Sequence, residues 1–139
     1  MKKWLSVILS IVMLSTVLGS GASFAFAATA ATSGSCGDNI KYNIDTGTGV
    51  LTLTGSGATN NYSNMNVNFG SSIKRCPWYN SRDSIKRVVI SEGVTVLGNY
   101  LFFEMTSVQT VILPSTVTGV NRYAFAGCTA PVSYTHLRA

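Results

Sequence analysis

The chain of 139 residues contains an internal repeat, because the segment 85–105 has the same pattern as the segment 108–128. When the two segments are superposed, apolar residues coincide with apolar residues at nine positions: Ile85 on Val108, Val88 on Val111, Val89 on Ile112, Ile90 on Leu113, Val94 on Val117, Leu97 on Val120, Tyr100 on Tyr123, Phe102 on Phe125 and Met105 on Cys128. Polar residues between them coincide too, as Thr95 does with Thr118. Chance matches in an apolar chain would not preserve both sets, so the pattern indicates a repeated structural unit that stacks on its neighbours.

Each unit opens with apolar residues at its first, fourth and sixth positions. These are Ile85, Val88 and Ile90 in the first unit and Val108, Val111 and Leu113 in the second. This spacing, together with a period of 23, is typical of leucine-rich repeats, whose periods run from about 20 to 29 residues.

After the strand, each coil is expected to turn and form a short helix, because Leu97, Tyr100, Leu101 and Met105 recur at helix-like spacing. The sequence therefore predicts a β-rich leucine-rich repeat solenoid. Its parts are an N-terminal β-hairpin cap and about two 23-residue coils of strand, turn and short helix, truncated at the C-terminus.

A candidate binding face follows from the alternation of side chains along the predicted strands. Val88 and Ile90 point towards the core, so Arg87 and Val89 point outwards. The outward positions and their edges are Lys86, Arg87, Val89, Gln109, Thr110 and Ile112. Exposed Val89 and Ile112 would form an apolar stripe of the kind found on interaction surfaces. The alternative is that these β-branched residues simply favour strand formation.

The N-terminal segment, residues 1–27, has the pattern of a secretory signal peptide. Lys2 and Lys3 precede an apolar run, and small residues lead to Ala25-Phe26-Ala27. The run of roughly 15 apolar residues is shorter than the ~20 that a spanning helix needs, which favours cleavage near Ala27 over a retained anchor. The mature chain is therefore expected to be secreted or at the bacterial cell surface, with no membrane contact beyond the signal peptide.

The rest of the chain divides by composition. Residues 28–35 contain Ala, Thr, Ser and Gly and predict a flexible lead-in. Residues 36–81 form the cap region, with a hairpin predicted around the turn at residues 45–49 and an aromatic plug at Pro77-Trp78-Tyr79. Residues 82–130 hold the repeats. Residues 131–139 break the period and read like a translated transposon-end sequencing adapter, the alternative being a divergent C-terminal cap.

The three cysteines have neither the spacing nor the histidine partners of a zinc site. Cys36 and Cys76 both lie in polar, turn-rich sequence, and in an oxidising compartment they form a candidate disulfide; free, partly buried thiols are the alternative. Cys128 ends an apolar pattern and is expected to be buried beside the position equivalent to Met105.

Catalytic patterns are missing from the sequence. The single histidine, His136, lies in the anomalous tail, no Gly-x-Ser-x-Gly occurs, and the five acidic residues are widely separated. We therefore predict neither an enzyme nor a cofactor or metal site. The basic residues of the segment from 74 to 87 are expected to form a solvated rim, with no nucleic acid as partner: Lys74, Arg75, Arg82, Lys86 and Arg87.

Over about residues 34–129 the chain resembles the BspA-like leucine-rich repeat proteins, secreted and surface-exposed proteins of bacteria. The resemblance rests on Ser35-Cys36-Gly37-Asp38-Asn39 and the following hairpin, on Pro77-Trp78-Tyr79, on the segments 84–90 and 111–117, and on Tyr123-Ala124-Phe125-Ala126-Gly127-Cys128. The first repeat departs from this pattern, with Leu101-Phe102-Phe103-Glu104-Met105 in place of Ala-Phe-x-Gly-Cys.

The resemblance implies a non-catalytic module that binds a host or cell-surface protein or glycan. The alternative is that the repeats form the N-terminal spacer of a longer exported hydrolase whose catalytic domain lies outside this sequence.

Overall fold

Nine strands and one short 3₁₀ helix make up the described part of the computed structural model, which comprises residues 31–64, 74–130 and 133–137. In chain order the elements are β1 (Ser33–Ser35), β2 (Ile40–Asp45), β3 (Val50–Gly55), β4 (Gly57–Ala58), the 3₁₀ helix (Tyr79–Ser84), β5 (Arg87–Ile90), β6 (Val94–Leu97), β7 (Thr110–Pro114), β8 (Gly119–Val120) and β9 (Ser133–Leu137). The expected signal peptide, residues 1–27, lies outside the described residues.

The strands form two sheets that share one core. The larger has the order β1-β2-β3-β5-β7-β9, and the smaller has the order β4-β6-β8. Pairing is antiparallel from β1 to β3 and parallel from β3 to β9. No helix among the described residues is long and apolar enough to cross a membrane.

The predicted hairpin is confirmed. Strands β2 and β3 pair from Ile40 opposite Gly55 to Asp45 opposite Val50. The turn is held by Asp45, whose Oδ1 accepts hydrogen bonds from the amides of Gly47 (2.9 Å) and Thr48 (3.3 Å). Hydrogen bonds from Thr48 and Gly47 also hold the pKa of Asp45 below its usual value. The hairpin is thus closed by local polar contacts as well as by its buried face.

The flexible lead-in expected at residues 28–35 is wrong for Ser33–Ser35, which forms β1 against β2. The backbone of this segment completes the edge of β2 although it has few apolar side chains. Gly34 lies opposite Tyr42, and a Cβ at this glycine would stand 2.9 Å from the Tyr42 ring. Absence of a side chain therefore lets the strand lie across the ring.

The aromatic plug of the cap is confirmed, because Trp78 is completely buried. Its ring stacks on Phe102 of the first repeat with centroids 6.0 Å apart, and it makes a T-shaped contact with Tyr42, with centroids 5.2 Å apart. Trp78 therefore joins the hairpin to the repeats in one core.

The predicted 23-residue register of the two repeat strands is confirmed. In the parallel pair β5 and β7, Val88 lies opposite Val111 and Val89 opposite Ile112. Val88 and Val111 are buried, whereas Val89 and Ile112 on the other face are half-buried. A slip of one residue would exchange these two faces, so the register fixes which side chains face outwards.

The short helix expected after each repeat strand is wrong. In the first repeat, β6 is followed by turns at residues 99–104, and in the second β8 is followed by turns at residues 122–127. Tyr100 and Tyr123 have φ values of 52° and 58°, in the left-handed region, which a right-handed helix does not use. The apolar spacing resembles that of a helix because a chain bending around a core also buries every third or fourth residue.

Backbone hydrogen bonds join the two repeats along these turns and strands. The amide of Phe102 donates to the carbonyl of Ala124 at 2.7 Å, and that of Glu104 to Ala126 at 2.8 Å. On the smaller sheet, the amide of Thr118 donates to Thr95 at 2.9 Å. Each repeat therefore satisfies backbone groups of its neighbour, in addition to covering its apolar side chains.

The exposed end of the second repeat differs from the sequence expectation. Leu97 is fully buried, but its counterpart Val120 is 54% exposed, and Tyr123 is 52% exposed where Tyr100 is half-buried. The first repeat is covered by the second. Positions that are equivalent in the sequence therefore have different environments, because burial here comes from the neighbouring repeat.

Strand β9 contradicts the expectation that the period ends before residue 131. Ser133–Leu137 pairs in parallel with β7, and Ser133 lies opposite Thr110, at the same sequence offset that separates Val88 from Val111. The apolar spacing is lost in this segment, yet backbone groups suffice to extend the edge of β7. The assignment of residues 131–139 to a translated sequencing adapter stays a prediction.

Cys36 and Cys76 are free, buried thiols in the structure. Burial raises the pKa of each to about 12. Burial also raises the pKa of the Tyr62 phenol, and the charges of the two cysteines raise it further. Their disulfide stays a prediction. Cys128 is half-buried, less than expected, and its thiol donates to the carbonyl of Phe102 at 3.2 Å.

We expect thiol labelling of the folded chain at pH 8 to modify Cys128 first and Cys36 and Cys76 much more slowly. The thiolate is the reactive form, and burial keeps these two cysteines protonated and covered. Mass spectrometry of labelled peptides measures the order, and equal rates at all three would contradict it. Counting the reactive thiols after unfolding then tests the disulfide between Cys36 and Cys76. Three reactive thiols would mean that the disulfide is absent, and one would mean that it is present.

Candidate binding face on the larger sheet

The outward face of the larger sheet brings the predicted residues into two neighbouring rows. One row runs through register positions Val50, Arg87, Thr110 and Ser133. The next runs through Thr52, Val89, Ile112 and Thr135. Parallel pairing at a constant offset produces these rows, because equivalent residues of successive repeats lie side by side.

The edge of this face is formed by Lys86 and Gln109, both exposed. The amide of Gln109 donates to the carbonyl of Lys86 at 2.8 Å, and the amide of Ser133 donates to Gln109 at 3.0 Å. Lys86 is fixed in turn by its own amide, which donates to Gly49 at 2.8 Å. The edge therefore has the same backbone pairing as the strands that follow it.

The structure brings all six predicted residues together on the outward face of β5 and β7 or at its edge: Lys86, Arg87, Val89, Gln109, Thr110 and Ile112. Their exposure is uneven. Arg87 is exposed, whereas Val89, Thr110 and Ile112 are half-buried. The apolar stripe therefore consists of two residues, Val89 and Ile112, and these side chains are less exposed than the sequence suggested. Thr52 adjoins it on β3, and Thr135 holds the corresponding register position on β9.

The two glutamates of the first repeat are engaged in structural contacts. Glu92 Oε1 accepts a hydrogen bond from the amide of Ser115 at 3.3 Å. The hydroxyl of Tyr79 donates to Glu104 Oε2 at 2.8 Å, and this bond raises the pKa of Tyr79. Within residues 31–64, 74–130 and 133–137, no group of three or more His, Cys, Asp or Glu could hold a metal ion.

Two surface features were missed by the sequence analysis. Val120, Tyr123 and Tyr134 are exposed apolar side chains at the end of the repeats, where the pattern predicted core positions for the first two. An open depression of about 330 Å³ also lies at the end of the hairpin, beside Asp38, Lys41 and Thr54. No sequence signal marks it, because its walls come from segments that meet only in the fold.

Comparison with known proteins identifies the repeats. Residues 71–135 match a family model described as a BspA type leucine rich repeat region. The fold is similar to the crystal structure of a leucine-rich repeat protein from Eubacterium ventriosum ATCC 27560, with a TM-score of 0.61 and 31% sequence identity. The match covers 77% of this chain and 27% of that protein. A search of curated proteins returned no match.

The family model, the neighbour at 31% identity and the 23-residue parallel register agree with one another. They point to a non-enzymatic repeat protein. Over residues 71–135 the chain is similar to the BspA-type leucine-rich repeat family.

Proposed function

We propose that this chain is the recognition module of an exported bacterial protein, and that the outward face of β5 and β7 binds a host or cell-surface protein or glycan. The repeats would form the first coils of a solenoid, in which stacked coils extend one binding surface. Proteins of this family are typically secreted or surface-exposed, and the N-terminal pattern supports export.

The observation that carries the proposal is the juxtaposition of charged, polar and apolar residues on paired strands. Arg87 and Thr110 lie opposite each other in one row, with Val89 and Ile112 opposite each other in the next. A small apolar centre with a polar and charged rim is the usual composition of a protein interface. Because backbone hydrogen bonds hold the rows, little conformational freedom would be lost on binding.

Substitution of Ile112 by aspartate tests the proposal. The carboxylate would lie at the centre of the contact and would have to lose its hydration on binding, so we expect the affinity for the surface of target cells to fall at least tenfold. Asn121→Asp is the matched control, since Asn121 is exposed on the loop after β8 and the change in charge is identical. Binding of the labelled chain to cells is measured by flow cytometry. Equal binding by wild type and the Ile112 variant would refute this face.

A second candidate function is that of a spacer preceding a catalytic domain in a longer exported hydrolase. The chain spans 27% of the Eubacterium ventriosum protein's length, which leaves room for further domains in a protein of that size. The sequence of the intact gene beyond the codon for Cys128 distinguishes the two: further repeats with a wall-attachment segment favour recognition, and a hydrolase domain favours the spacer.

A further inference from the structure

A cluster of basic residues lies where the cap meets the first repeat. The segment from 74 to 87 contains five cations, and among the described residues there is one ion pair, between Arg82 Nε and Asp83 Oδ1 at 3.9 Å. We call the five residues the basic cluster: Lys74, Arg75, Arg82, Lys86 and Arg87. Asp83 pairs with Arg82, and Glu104 accepts a hydrogen bond from Tyr79, so the five cations are accompanied by two carboxylates.

Tyr79 organises the two central arginines of this cluster. The guanidinium carbons of Arg75 and Arg82 each lie over its ring, 4.1 Å from the centroid. The two cationic groups are therefore held close together, since both are in contact with the same ring. Tyr79 itself is fixed by its hydrogen bond to Glu104 of the first repeat.

Backbone carbonyls hold the same guanidinium groups at their edges. Arg75 donates from Nη2 and Nε to the carbonyl of Asn64, at 3.0 and 3.3 Å, and Arg82 donates from Nη1 to the carbonyl of Tyr79 at 2.8 Å. A guanidinium has five N–H donors, so each arginine retains donors for another acceptor. The stacking on Tyr79 and the hydrogen bonds to backbone carbonyls therefore hold both guanidinium groups in place before any ligand binds.

We propose that the basic cluster binds a sulfated polysaccharide. Sulfate oxygens match the forked donors of arginine, and pre-positioned guanidinium groups lose little entropy on binding. Lys86 and Arg87 follow Arg82 closely in the sequence and lie on the proposed recognition face or at its edge. A linear polyanion long enough to reach them from the two arginines would therefore also contact that face. This inference specifies a partner class for the proposed function and rests on it.

The contacts of the cluster favour a glycan over other polyanions. Single-stranded nucleic acid is usually held by aromatic rings on which its bases stack, and the ring of Tyr79 already carries two guanidinium groups.

The test compares dextran sulfate with unsulfated dextran of equal length as probes for the full chain, by isothermal titration at several salt concentrations. We expect binding to dextran sulfate that weakens as salt rises, and no binding to dextran. Replacing Arg75 and Arg82 together by glutamine should weaken binding at least tenfold and reduce its salt dependence. Arg122→Gln, an exposed arginine of the second repeat that removes charge elsewhere, should change binding less than twofold.

A gain of affinity provides a test that does not depend on damaging the cluster. Glu104→Gln keeps an oxygen acceptor for the Tyr79 hydroxyl but removes the negative charge beside the arginines, so binding of dextran sulfate should tighten about two- to fivefold. Replacing both arginines by lysine keeps the charge and should restore most of the salt dependence lost in the glutamine variant. Thermal unfolding of each variant verifies that it is folded.

Three results would overturn the inference: equal binding of both dextrans, a loss of affinity in the Arg122 variant equal to that in the Arg75 and Arg82 variant, or a DNA oligonucleotide bound as tightly as dextran sulfate at the same salt.

The Ile112→Asp variant separates this inference from the proposed function. If it loses cell binding while the arginine variants bind dextran sulfate like the wild type, the recognition face stands and the polysaccharide site falls. If the arginines matter for dextran sulfate and Ile112 does not matter for cells, the recognition face is wrong.

Discussion

Replacement of Val111 by aspartate will unfold the repeats, whereas replacement of its neighbour Ile112 will leave them folded. Val111 is 1% exposed and lies opposite Val88 in the core, where a carboxylate would be buried without a partner. Such a charge costs several kcal/mol, about 3 to 5 by comparison with broken buried ion pairs, which is a large part of the stability of a small domain.

Ile112 faces outwards and is half-buried, so an aspartate there keeps its hydration. We expect a loss of about 1 kcal/mol, the range of strand propensity. Urea unfolding followed by circular dichroism measures both variants. If Ile112→Asp unfolded the chain and Val111→Asp did not, the strand register would be displaced by one residue and the proposed binding face would belong to the core.

Replacement of Trp78 by alanine should destabilise the chain by about 3 to 5 kcal/mol, because it leaves a large cavity in a core that cannot fully collapse. The ring stacks on Phe102 and makes T-shaped contacts with Tyr42 and Tyr62, with centroids 5.2 to 6.4 Å apart. Cap and first repeat should therefore unfold together in a single transition at a lower urea concentration.

Two further variants control for this effect. Trp78→Phe keeps an aromatic ring and removes Nε1, which is buried without a hydrogen-bond partner among the described residues, so it should cost less than the alanine variant. Tyr123→Ala removes a ring that is 52% exposed, and we expect about 1 kcal/mol from its stacking on Tyr100. A larger loss from Tyr123 than from Trp78 would place the structural centre in the second repeat and contradict the role assigned to the plug.

The strand register was predictable because it depends on the internal repeat and on side-chain alternation. Val88 and Val111 had to share a face once the internal repeat was known, and the hairpin followed from alternating Ile40, Tyr42 and Ile44. The six face residues follow from the same rule. Their partial burial does not, because it depends on neighbouring strands on both sides.

The turns after β6 and β8 were not predictable by the same means. Apolar spacing cannot distinguish a helix from a chain that bends around a core. Tyr100 and Tyr123 have left-handed backbone conformations, and because tyrosine rarely adopts them, the residue type gives no indication of such a turn. Strands β1 and β9 were missed for another reason: both add backbone hydrogen bonds to the edge of an existing sheet, which polar sequence can do. The stacking of Arg75 and Arg82 on Tyr79 depends on side-chain packing that the basic composition did not reveal.

A pair of engineered cysteines at Val89 and Ile112 tests most directly whether the repeats present one continuous face. In-register neighbours on adjacent strands have Cα atoms about 4.8 Å apart, which permits a disulfide. The control pair, Val89 with Thr110, lies on the same face but two positions along the strand, at about 8 Å, beyond the reach of a bond. Mild oxidation of the folded chain followed by peptide mass mapping should find the bond in the first pair and not in the second. A bond in the control pair, or none in the first, would contradict the register on which the proposed face depends.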